Sequence, residues 1–537
     1  MSFGRIPDAS ASSDDMEQAG GLARSAGIIA LGNVSSRLLG MVRMTLIASL
    51  FGATGLVSAY QIAATVPTMA YELLVGGMLS SALVPVFSEY TAARSQRELA
   101  SLAGTALSVA ASVLVFLVLL IQWFAPQIAF VLGGGFTPEL LSTATRLIRV
   151  AGIALLFLGL SGIVTAISYS LKRFTLPAFA AAAFNLGIIL SALFLSRSLG
   201  IYCLAVGIVA GSLIQLAIQL PAIRGLGISL RPDLTHPALR RIGYLYLPVL
   251  AGLLITQIQI AVDRNLASRT GEQSIAWMTN ATTLIQFPHG LVAVAISLAV
   301  LPSLSRFSAL GDMDGYRRTL SLGLRMVIVL IAPAAVALFI LGRPAVAAIF
   351  EHGRFTPFDT AWTTLALRCY LFGLIFAAID WPLNYASYAR QDTLTPALVG
   401  VFSILVYLLV ALALLPVYGM IGLVLADSFK QFSHAATMLW LTHRRSGGLD
   451  GRRLLLTALK TTVASIGMSA VILGVMNHLT VFEGLSPFVR DIAILGLAGG
   501  AGGMVYVALA IVLGQDEILT LWEIVRRKLF SFAAARP

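Results

Sequence analysis

The chain has 537 residues, of which 58% are hydrophobic and only 11% are charged, and its formal net charge is +12. A soluble protein of this length carries about 25% charged residues, so the composition excludes a soluble globular fold. A transmembrane helix needs about 20 apolar residues, and apolar runs of that length recur along the whole chain. These runs are too long for β-barrel strands, and helices are the remaining structure that satisfies the backbone in lipid. The sequence therefore predicts an all-α polytopic membrane protein.

The apolar windows predict about fourteen membrane spans when they are read against their polar breaks. Their approximate limits are 25–51, 57–88, 101–124, 143–170, 176–197, 200–223, 238–264, 274–304, 318–342, 358–388, 396–416, 418–442, 454–477 and 487–514. Residues 1–22 are polar and mixed in charge, with no apolar segment before the first span, so we expect a disordered cytosolic tail and not a cleaved signal peptide. Residues 515–537 are expected to form a cytosolic tail with an amphipathic surface helix over 516–531.

The loops between the predicted spans alternate in charge. About 22 arginine and lysine residues fall in one set of alternate loops and the C-terminal tail, and about 4 fall in the other set. Cytoplasmic loops of membrane proteins carry the excess of basic residues, so both termini are expected in the cytoplasm. The net positive charge therefore follows from topology and does not indicate a nucleic-acid partner.

Sequence signatures of catalysis are absent. No run reads as a phosphate-binding loop, a zinc-ligand set or a nucleophile elbow. The cysteines, Cys203 and Cys369, lie within apolar segments and predict neither a disulfide nor a metal site. We therefore expect a protein that is not an enzyme and carries no cofactor. Any transport must then be driven by a coupling ion, Na⁺ or H⁺, or by the membrane potential.

An internal repeat is indicated by prolines, glycines and tyrosines that recur at a nearly constant offset. Adding 219 to the residue number takes Tyr169, Pro177 and Gly200 to Tyr388, Pro396 and Gly419, and adding 217 takes Pro85 to Pro302. Six spans separate the matching segments, so the two halves have the same orientation, as in transporters built from parallel repeats. We predict an N-lobe at 23–224, a C-lobe at 236–445 and two further spans at 452–514, with the substrate path between the lobes. A chance similarity in apolar sequence is the alternative.

Ionisable residues inside spans are the most informative, because each costs at least about 2.5 kcal/mol at mid-membrane unless it is paired or hydrated. Arg37 lies deep in span 1, and Asn33 lies four residues earlier on the same helix face. A guanidinium suits a diphosphate because its planar fork donates two hydrogen bonds at once. Arg43 lies nearer the end of the span, where snorkelling to the interface is the alternative. We therefore predict substrate binding by Arg37, Arg43 and Asn33, and an ion pair with Glu72 is the alternative for Arg37.

Three carboxylates inside spans are candidates for counter-ions or coupling groups. Glu72 in span 2 is either the counter-ion of the span-1 arginine or a proton-coupling carboxylate. Asp263 and Arg264 lie together near the end of span 7, where a local salt bridge is the alternative to a role in transport. Asp427 lies three residues before Lys430, and the two are expected to pair on one helix face. Arg264 is the further candidate for substrate binding.

Several motifs resemble those of the MurJ/MviN family. They are Asn33-Val-Ser-Ser-Arg37-Leu-Leu-Gly40-Met-Val-Arg43, Ala82-Leu-Val-Pro85-Val-Phe-Ser-Glu-Tyr90, Phe174-Thr-Leu-Pro177-Ala-Phe, Phe287-Pro288-His-Gly290, Gly353-Arg-Phe355-Thr356 and Tyr388-Ala-Arg-Gln-Asp392-Thr-Leu-Thr-Pro396. Each motif is weak by itself, but the ordered set over residues 25–440 is specific. Spans 13 and 14 match in hydropathy only.

The resemblance implies a flippase of the multidrug/oligosaccharidyl-lipid/polysaccharide exporter superfamily. Members of the family move lipid II, an undecaprenyl-diphosphate-linked peptidoglycan precursor, across the bacterial cytoplasmic membrane by alternating access. The resemblance further implies two six-span lobes around a cationic cavity and a lipid-tail groove formed by the two C-terminal spans. The implied partners are a polyprenyl-diphosphate glycolipid, membrane lipids and other proteins of cell-wall synthesis.

The chain departs from the family at several cavity positions. Family arginines of spans 2 and 8 are replaced by Tyr71 and by Ala281-Thr282-Thr283, and an acidic residue before the span-2 glycine is replaced by Gly76. The family's Asp-Ala-Phe beside span 2 reads Ser58-Ala59-Tyr60 here. Three explanations stay open. Arg264 or another basic group substitutes for the lost arginines, the cargo is not lipid II, or transport has been lost.

The sequence favours a flippase for a lipid-linked glycan, with lipid II as the preferred cargo. A multidrug or cation antiporter of the same superfamily is the second hypothesis, and it predicts an acid-rich cavity with an aromatic lining. A non-transporting membrane scaffold descended from the family is the third hypothesis. An intramembrane enzyme comes last, because no catalytic constellation is visible.

Overall fold

The structure, a computed structural model, describes residues 13–93, 95–229, 233, 236–479 and 486–519. Within these ranges the chain consists of helices joined by turns and short loops, which confirms the predicted all-α fold. The helices are α1 (Ser13–Phe51), α2 (Gly55–Tyr71), α3 (Val84–Ala93), α4 (Gln96–Gly133), α5 (Pro138–Gly152), α6 (Ala154–Ser170), α7 (Thr175–Ala178), α8 (Ala180–Leu199), α9 (Tyr202–Gln219), α10 (Pro237–Ser268), α11 (Ser274–Pro288), α12 (Val294–Leu310), α13 (Met313–Phe350), α14 (Pro357–Ala389), α15 (Leu394–Tyr418), α16 (Met420–Arg445), α17 (Gly451–Leu479) and α18 (Pro487–Val512).

The number of membrane spans is close to the predicted fourteen. In the described ranges twelve helical stretches are long and apolar enough to cross a membrane, and the bent pair Pro237–Leu247 and Val249–Ser268 makes thirteen. The remaining predicted span corresponds to α16, which has 26 residues but is more polar. Its side chains Lys430 and His434 contact α15 and α14 respectively. Burial against other helices therefore allows α16 to be less apolar than its neighbours.

The chain ends differ in part from the expectation. α1 begins at Ser13, inside the segment 1–22 that the sequence assigns to a disordered tail, because polar residues end a membrane span but do not by themselves end a helix. Residues 1–12 and 520–537 lie outside the described part of the chain. Of the amphipathic helix predicted over 516–531, residues 516–519 are described, and they are helical.

Backbone geometry confirms the internal repeat. A π-helical turn occurs at Glu72–Gly76 and again at His289–Ala293, at the same offset of 217 that Pro85 and Pro302 show, whereas a further π-helical turn at Leu79–Leu83 has no counterpart in α12. Lys172 and Gln391, whose numbers differ by 219, are the two non-glycine residues with a positive φ in the described chain, at 58° and 60°. Both features are rare in proteins. Their recurrence at the predicted offsets is therefore not expected from chance similarity of apolar sequence.

The chain packs into two compact units. Unit 1 comprises Met1–Leu46, Ala59–Val131 and Pro138–Ile258, and unit 2 comprises Ile47–Ser58, Leu132–Thr137 and Gln259–Pro537. The division falls inside α10, whereas the predicted lobes divide in the loop at 225–235. The two C-terminal spans, predicted as a separate segment at 452–514, belong to unit 2.

The first part of α10 belongs to unit 1 because it packs against the π-helical turn at Glu72–Gly76. Ile242 and Tyr246 lie in a buried cluster with Val75 and Leu83. The Tyr246 hydroxyl donates a hydrogen bond to the Leu73 carbonyl. A π-helical turn disturbs the regular ladder of backbone hydrogen bonds, and a side-chain donor can satisfy a carbonyl that the ladder leaves out. α10 is therefore part of the structure that maintains the turn.

The C-terminal helices are joined to unit 2 by a buried core. α17 and α18 pack on each other and on α13. The cluster joins Val329 and Leu341 of α13 to Met468 of α17 and Tyr506 of α18. The Tyr506 hydroxyl donates to the Val329 carbonyl over 2.6 Å. These two helices are thus an integral part of the unit and not an appendage.

The turn between α14 and α15 explains the residues of the motif that ends at Pro396. Asp392 accepts hydrogen bonds from the amide and the hydroxyl of Thr395 and from Arg445 of α16, at 3.0, 2.6 and 2.6 Å. Burial raises the pKa of the Asp392 carboxyl, but the hydrogen bonds from Thr395 and the charge of Arg445 lower it by more, so the pKa lies below its ordinary value. The ionised carboxylate therefore joins the start of α15 to the end of α16.

We expect Asp392→Asn to lower the unfolding temperature of the purified protein near neutral pH, because it removes a partly exposed ionic contact worth at most about 1 kcal/mol. A carboxylate with a lowered folded-state pKa stabilises above its unfolded-state pKa, and this contribution disappears as the pH falls through the folded-state pKa. Unfolding temperatures of the two proteins should therefore converge in acid. If the unfolding temperatures still differ at acid pH, the loss of stability in Asp392→Asn comes from the changed shape of the side chain and not from its lost charge.

Helices α8 and α9 approach each other closely at Gly187, where an added Cβ would collide with the Gly211 Cα. We expect Gly187→Ala to destabilise the protein by about 1–3 kcal/mol, because the two backbones have to separate. No atom outside its own helix lies within 4 Å of the Cβ position of Gly474, so Gly474→Ala is the matched control. It should leave stability unchanged or slightly raised. Thermal unfolding in one detergent measures both, and equal losses would contradict the packing argument.

Candidate functional site

Helix α1 carries the predicted substrate-binding residues of span 1. It is unbroken from Ser13 to Phe51, so Asn33 and Arg37 lie one turn apart on one face, as the sequence predicts. Asn33 is exposed and Arg37 is partly exposed. This face therefore presents an amide and a guanidinium side by side, and both groups can donate hydrogen bonds to phosphate oxygens.

The corner of α7 and α8 holds the neighbouring face of α1 in place. The buried Asn185 side chain donates to the Ser36 carbonyl over 3.2 Å. One turn earlier, Gly32 lies against Ala178, and an added Cβ would collide with the Ala178 carbonyl oxygen. Small residues at 32 and 36 thus allow the close approach that helices in membranes use to associate. Arg37 follows Ser36 directly, so this contact fixes the direction in which its side chain leaves the helix.

Arg43 lies on a different face of α1 from Arg37. Six residues of α-helix separate two side chains by about 9 Å along the axis and about 120° around it. The Arg43 guanidinium lies 4.0 Å from the Met44 sulfur and interacts electrostatically with the buried Tyr60. Its Nε has no hydrogen-bond partner among the described residues. Arg43 therefore has a donor available for a ligand, but in another direction from Arg37.

The π-helical turn after α2 determines where the Glu72 carboxylate lies. Its Oε2 is 2.5 Å from the position that a Cβ on Gly76 would take. The carboxylate thus fills the space in which a side chain at position 76 would begin, where the family resemblance implies an acidic residue. Glu72 therefore supplies a carboxylate at that point of the helix from four residues earlier. It is exposed, and its pairing with Arg37 stays a prediction.

Unit 2 contains a cluster of charged residues and tyrosines within its membrane-spanning helices. Tyr407 of α15, which is only 1% exposed, donates to Asp263 of α10 over 2.6 Å. Asp427 and Lys430 of α16 form the predicted ion pair, with 2.6 Å between Oδ1 and Nζ. The Lys430 ammonium lies over the Tyr407 ring, 5.9 Å from its centre. Tyr370 of α14 interacts electrostatically with both carboxylates.

Arg264 directs its hydrogen bond away from its neighbour Asp263. Its Nη1 lies 3.5 Å from the Thr279 hydroxyl of α11, and its Nε has no hydrogen-bond partner in the part of the chain that is described. Thr283, at the position of the missing family arginine, is one turn further along α11, and its hydroxyl donates to the Thr279 carbonyl. The Arg264 guanidinium therefore lies beside the segment of α11 that lacks the arginine.

A second polar cluster lies one turn further along α16. His434 Nδ1 is 2.6 Å from Asp380 Oδ1 of α14, and Asn384 donates to Asp380 over 2.7 Å. The sequence predicts no role for His434. Spacing is the signal that could have found it, because Asp427, Lys430 and His434 are three and four residues apart and so share one face of α16.

The predicted site residues fall into two groups. Unit 1 holds Asn33, Arg37, Arg43 and Glu72, and unit 2 holds Asp263, Arg264 and Asp427. Across the described ranges no group of three or more His, Cys, Asp or Glu side chains is arranged to hold a metal ion. Cys203 and Cys369 are buried and free. A parallel repeat, helices interrupted by π-helical turns and charges held inside spans define a membrane transporter by fold and site.

Comparison with known proteins narrows this class. The family model described as lipid II flippase MurJ matches residues 47–489. A probable lipid II flippase MurJ of Vibrio cholerae is 28% identical over 510 residues, which cover 92% of this chain and 96% of the relative. A lipid II flippase MurJ of Burkholderia cenocepacia is 29% identical over 401 residues, which cover 73% of this chain and 78% of the relative. The chain belongs to the lipid II flippase MurJ family.

Solved structures agree in fold. A lipid II flippase MurJ in an inward closed conformation matches with a TM-score of 0.77 and 25% identity, covering 91% of this chain and 99% of that one. An inward-facing multidrug resistance MATE family transporter of the MOP superfamily matches with a TM-score of 0.65 at 14% identity. The match covers 77% of this chain and 94% of that one. The second likeness shows the shared fold alone. The protein is thus a multi-pass bacterial membrane protein with this transporter fold.

We expect Tyr407→Phe to destabilise the purified protein by about 1–3 kcal/mol, because Asp263 loses a short hydrogen bond within the helix bundle. Tyr418, at the exposed end of the same helix, is the matched control, and Tyr418→Phe should have no measurable effect. Unfolding temperatures in a single detergent compare the two variants. Equal effects would mean that the Tyr407–Asp263 contact adds no stability.

Proposed function

We propose that this protein is a flippase that moves lipid II from the inner to the outer leaflet of the bacterial cytoplasmic membrane by alternating access. The observation that carries the proposal is the match of the lipid II flippase MurJ family model to residues 47–489. The relatives of that name are matched over most of their own length, so the whole transporter and not one segment is shared. Both termini lie in the cytoplasm in this proposal, as the loop charges favour.

In this proposal Arg37 binds the diphosphate of the cargo. A guanidinium can donate two parallel hydrogen bonds to phosphate oxygens, and it stays charged at every pH the protein meets. Asn33 is one turn away on the same face and can donate a further hydrogen bond. Arg43 faces another direction, so it assists by its charge and not by sharing the same pair of oxygens with Arg37.

In this proposal two groups compensate for two of the departures from the family. Arg264 lies against Thr279 of α11, one turn from the missing arginine at Thr283, so it supplies positive charge beside that segment. Glu72 supplies the carboxylate that position 76 lacks. Both compensations support retention of transport over loss of it. They do not replace the arginine lost at Tyr71 or the acidic residue lost at Ser58.

The undecaprenyl tail of the cargo lies along the C-terminal helix pair in this proposal. On α18 the apolar side chains of Leu497, Met504, Val507 and Ile511 are exposed. Their spacing of seven, three and four residues places them on one side of the helix. The opposite side of α18, with Ala498 and Tyr506, is buried in the core of unit 2.

The membrane potential is the proposed driving force. Asp427 already holds the Lys430 ammonium at 2.6 Å, so a sodium ion at this carboxylate has to displace an internal cation. Asp263 is likewise engaged by Tyr407. These pairs also argue against cation antiport, which requires carboxylates that are open to exchange. Each elementary charge that crosses the membrane is worth about 2.3 kcal/mol per 100 mV, so reorientation of a basic transporter can be biased by the potential.

Contacts with other proteins of cell-wall synthesis stay a prediction.

Complementation of a bacterium depleted of its own lipid II flippase tests the function. We expect rescue by the wild-type chain and loss of rescue by Arg37→Ala at matched membrane expression, because the diphosphate loses its charge-assisted hydrogen bonds. Arg149, exposed on α5 of the same unit, is the matched control, and Arg149→Ala should rescue fully.

The remaining outcomes separate the alternatives. Rescue by both arginine variants would keep the function and remove Arg37 from the substrate path. Failure of a well-expressed wild type in a host that other members of the family rescue would contradict lipid II as cargo. Proteoliposomes with lipid II in one set and another polyprenyl-diphosphate glycolipid in a second set would then distinguish the two, because a protein with a different cargo moves lipid only in the second set and a protein that does not transport moves neither.

A further inference from the structure

A cavity of about 720 Å³ lies in unit 2, apart from the sites described above. It is bordered by the first turns of α13, by the loop between α16 and α17, and by the first turn of α17. Its lining includes Arg317, Arg318, Ser321, Arg325 and Arg453. The loop charges place this end of the helices at the cytoplasmic side of the membrane.

The cavity is electropositive. Four guanidinium groups and two carboxylates line it. The carboxylates in and beside it are engaged in the pairs Asp314–Arg317 at 3.3 Å, Asp450–Arg453 at 3.1 Å and Glu517–Arg325. One positive charge is left when all three carboxylates are counted against the four arginines. Arg318 is exposed at the rim. The lining therefore favours an anion.

Two buried donors at the cavity have no hydrogen-bond partner in the described residues. Ser321 is 3% exposed and its hydroxyl is one of them, and the Arg325 Nε is the other. Arg317, Ser321 and Arg325 follow one another at intervals of four residues, so they form a row of donors on one face of α13 with about 6 Å between neighbours. Buried donors are rarely left without an acceptor, so this row indicates a ligand rich in oxygen atoms.

The loop opposite α13 has a shape that accommodates Arg317. Gly447 and Gly448 have φ angles of 74° and 113°, which residues with a side chain rarely adopt. A Cβ on Gly447 would collide with the Arg317 Nη2. Because that Cβ is absent, Arg317 lies against the loop and its Nε donates to the Ser446 carbonyl. This wall of the cavity is therefore held in place by the protein itself.

The surface next to the cavity is apolar. Leu322 lines the cavity, and Leu456, which lies one turn after Arg453 and on nearly the same side of α17, has an exposed side chain. A free phosphate gains nothing from such a surface. A phospholipid, in contrast, can place its headgroup on the arginines and its acyl chains on the leucines, as lipids do at basic pockets between membrane helices.

We propose that this cavity binds the phosphodiester headgroup of an anionic membrane lipid. Arg318 and Arg453 contact the headgroup at the rim, and Ser321 and Arg325 donate to its phosphate oxygens deeper in the cavity. The lipid bridges α13 and the start of α17, so its binding strengthens the attachment of the two C-terminal helices to the rest of unit 2. This role is independent of the cargo that the protein transports.

The full-length protein in nanodiscs of phosphatidylcholine, with increasing fractions of phosphatidylglycerol, tests the proposal. We expect phosphatidylglycerol to raise the unfolding temperature of the wild type, and inorganic phosphate added to pure phosphatidylcholine nanodiscs to leave it unchanged. Arg318→Gln/Arg453→Gln should raise the fraction of phosphatidylglycerol needed for half of the effect about tenfold, because two charge-assisted contacts are lost. Arg240→Gln/Arg306→Gln removes the same charge from exposed positions outside the cavity, and it should keep the wild-type response.

Equal losses in the two double variants would overturn the proposal, because net charge and not the cavity would then govern the response. Protection of the wild type by inorganic phosphate would overturn it in favour of a soluble anion. The single variant Arg318→Gln changes an exposed residue and keeps the fold if the double variant does not. Native mass spectrometry then counts the phosphatidylglycerol molecules that it retains. The loss of one lipid relative to wild type supports the proposal, and an unchanged number contradicts it.

Discussion

The hydrocarbon of a membrane offers no hydrogen-bond partner, so a polar group within these helices is costly unless the protein, a ligand or a hydrated cavity supplies one. Tyrosine meets this need repeatedly, because its ring packs like an apolar side chain while its hydroxyl reaches a polar atom on another helix. Four tyrosine hydroxyls join helices in this way, in the pairs Tyr246–Leu73, Tyr316–Ala386, Tyr407–Asp263 and Tyr506–Val329. Three of the acceptors are backbone carbonyls and one is a carboxylate. The polar groups that are costly to insert into a membrane therefore also form the hydrogen bonds that hold these helices together.

The repeat shows which properties of a transporter half resist divergence. The π-helical turns after Tyr71 and Pro288 and the positive φ angles of Lys172 and Gln391 are matched at the repeat offsets, although few side chains are the same. A π-helical turn changes the direction of all the helix that follows, so its loss would displace a whole span. Side chains can change one at a time without that consequence. The chemistry of the two halves has diverged accordingly, with Glu72 at the start of one turn and His289 at the start of the other.

In the proposed function, the distribution of charge accounts for two of the charged family positions that the chain lacks. Electrostatic attraction depends on where a charged group lies and not on which residue of the backbone carries it. Arg264 reaches α11 from α10, and the Glu72 carboxylate lies over Gly76 from one turn away. In this proposal, long side chains place a charge near the position that has lost one. Arg37 lies in a motif that resembles the family's own, and the proposed diphosphate contact depends on it.

The sequence by itself determined the class of fold, the approximate positions of the spans, the internal repeat and the pairing of Asp427 with Lys430. Each of these depends on composition or on local spacing along one helix, and both are readable without knowing which helices touch. Only the tertiary structure decided that α10 packs partly on unit 1, that Arg264 reaches Thr279, and that Tyr407 and His434 engage Asp263 and Asp380. These contacts join residues that are far apart in the chain or on different helices, so no local pattern encodes them. The physical reason is that most of the span surface is apolar, and similar apolar surfaces do not by themselves specify which helices pack together.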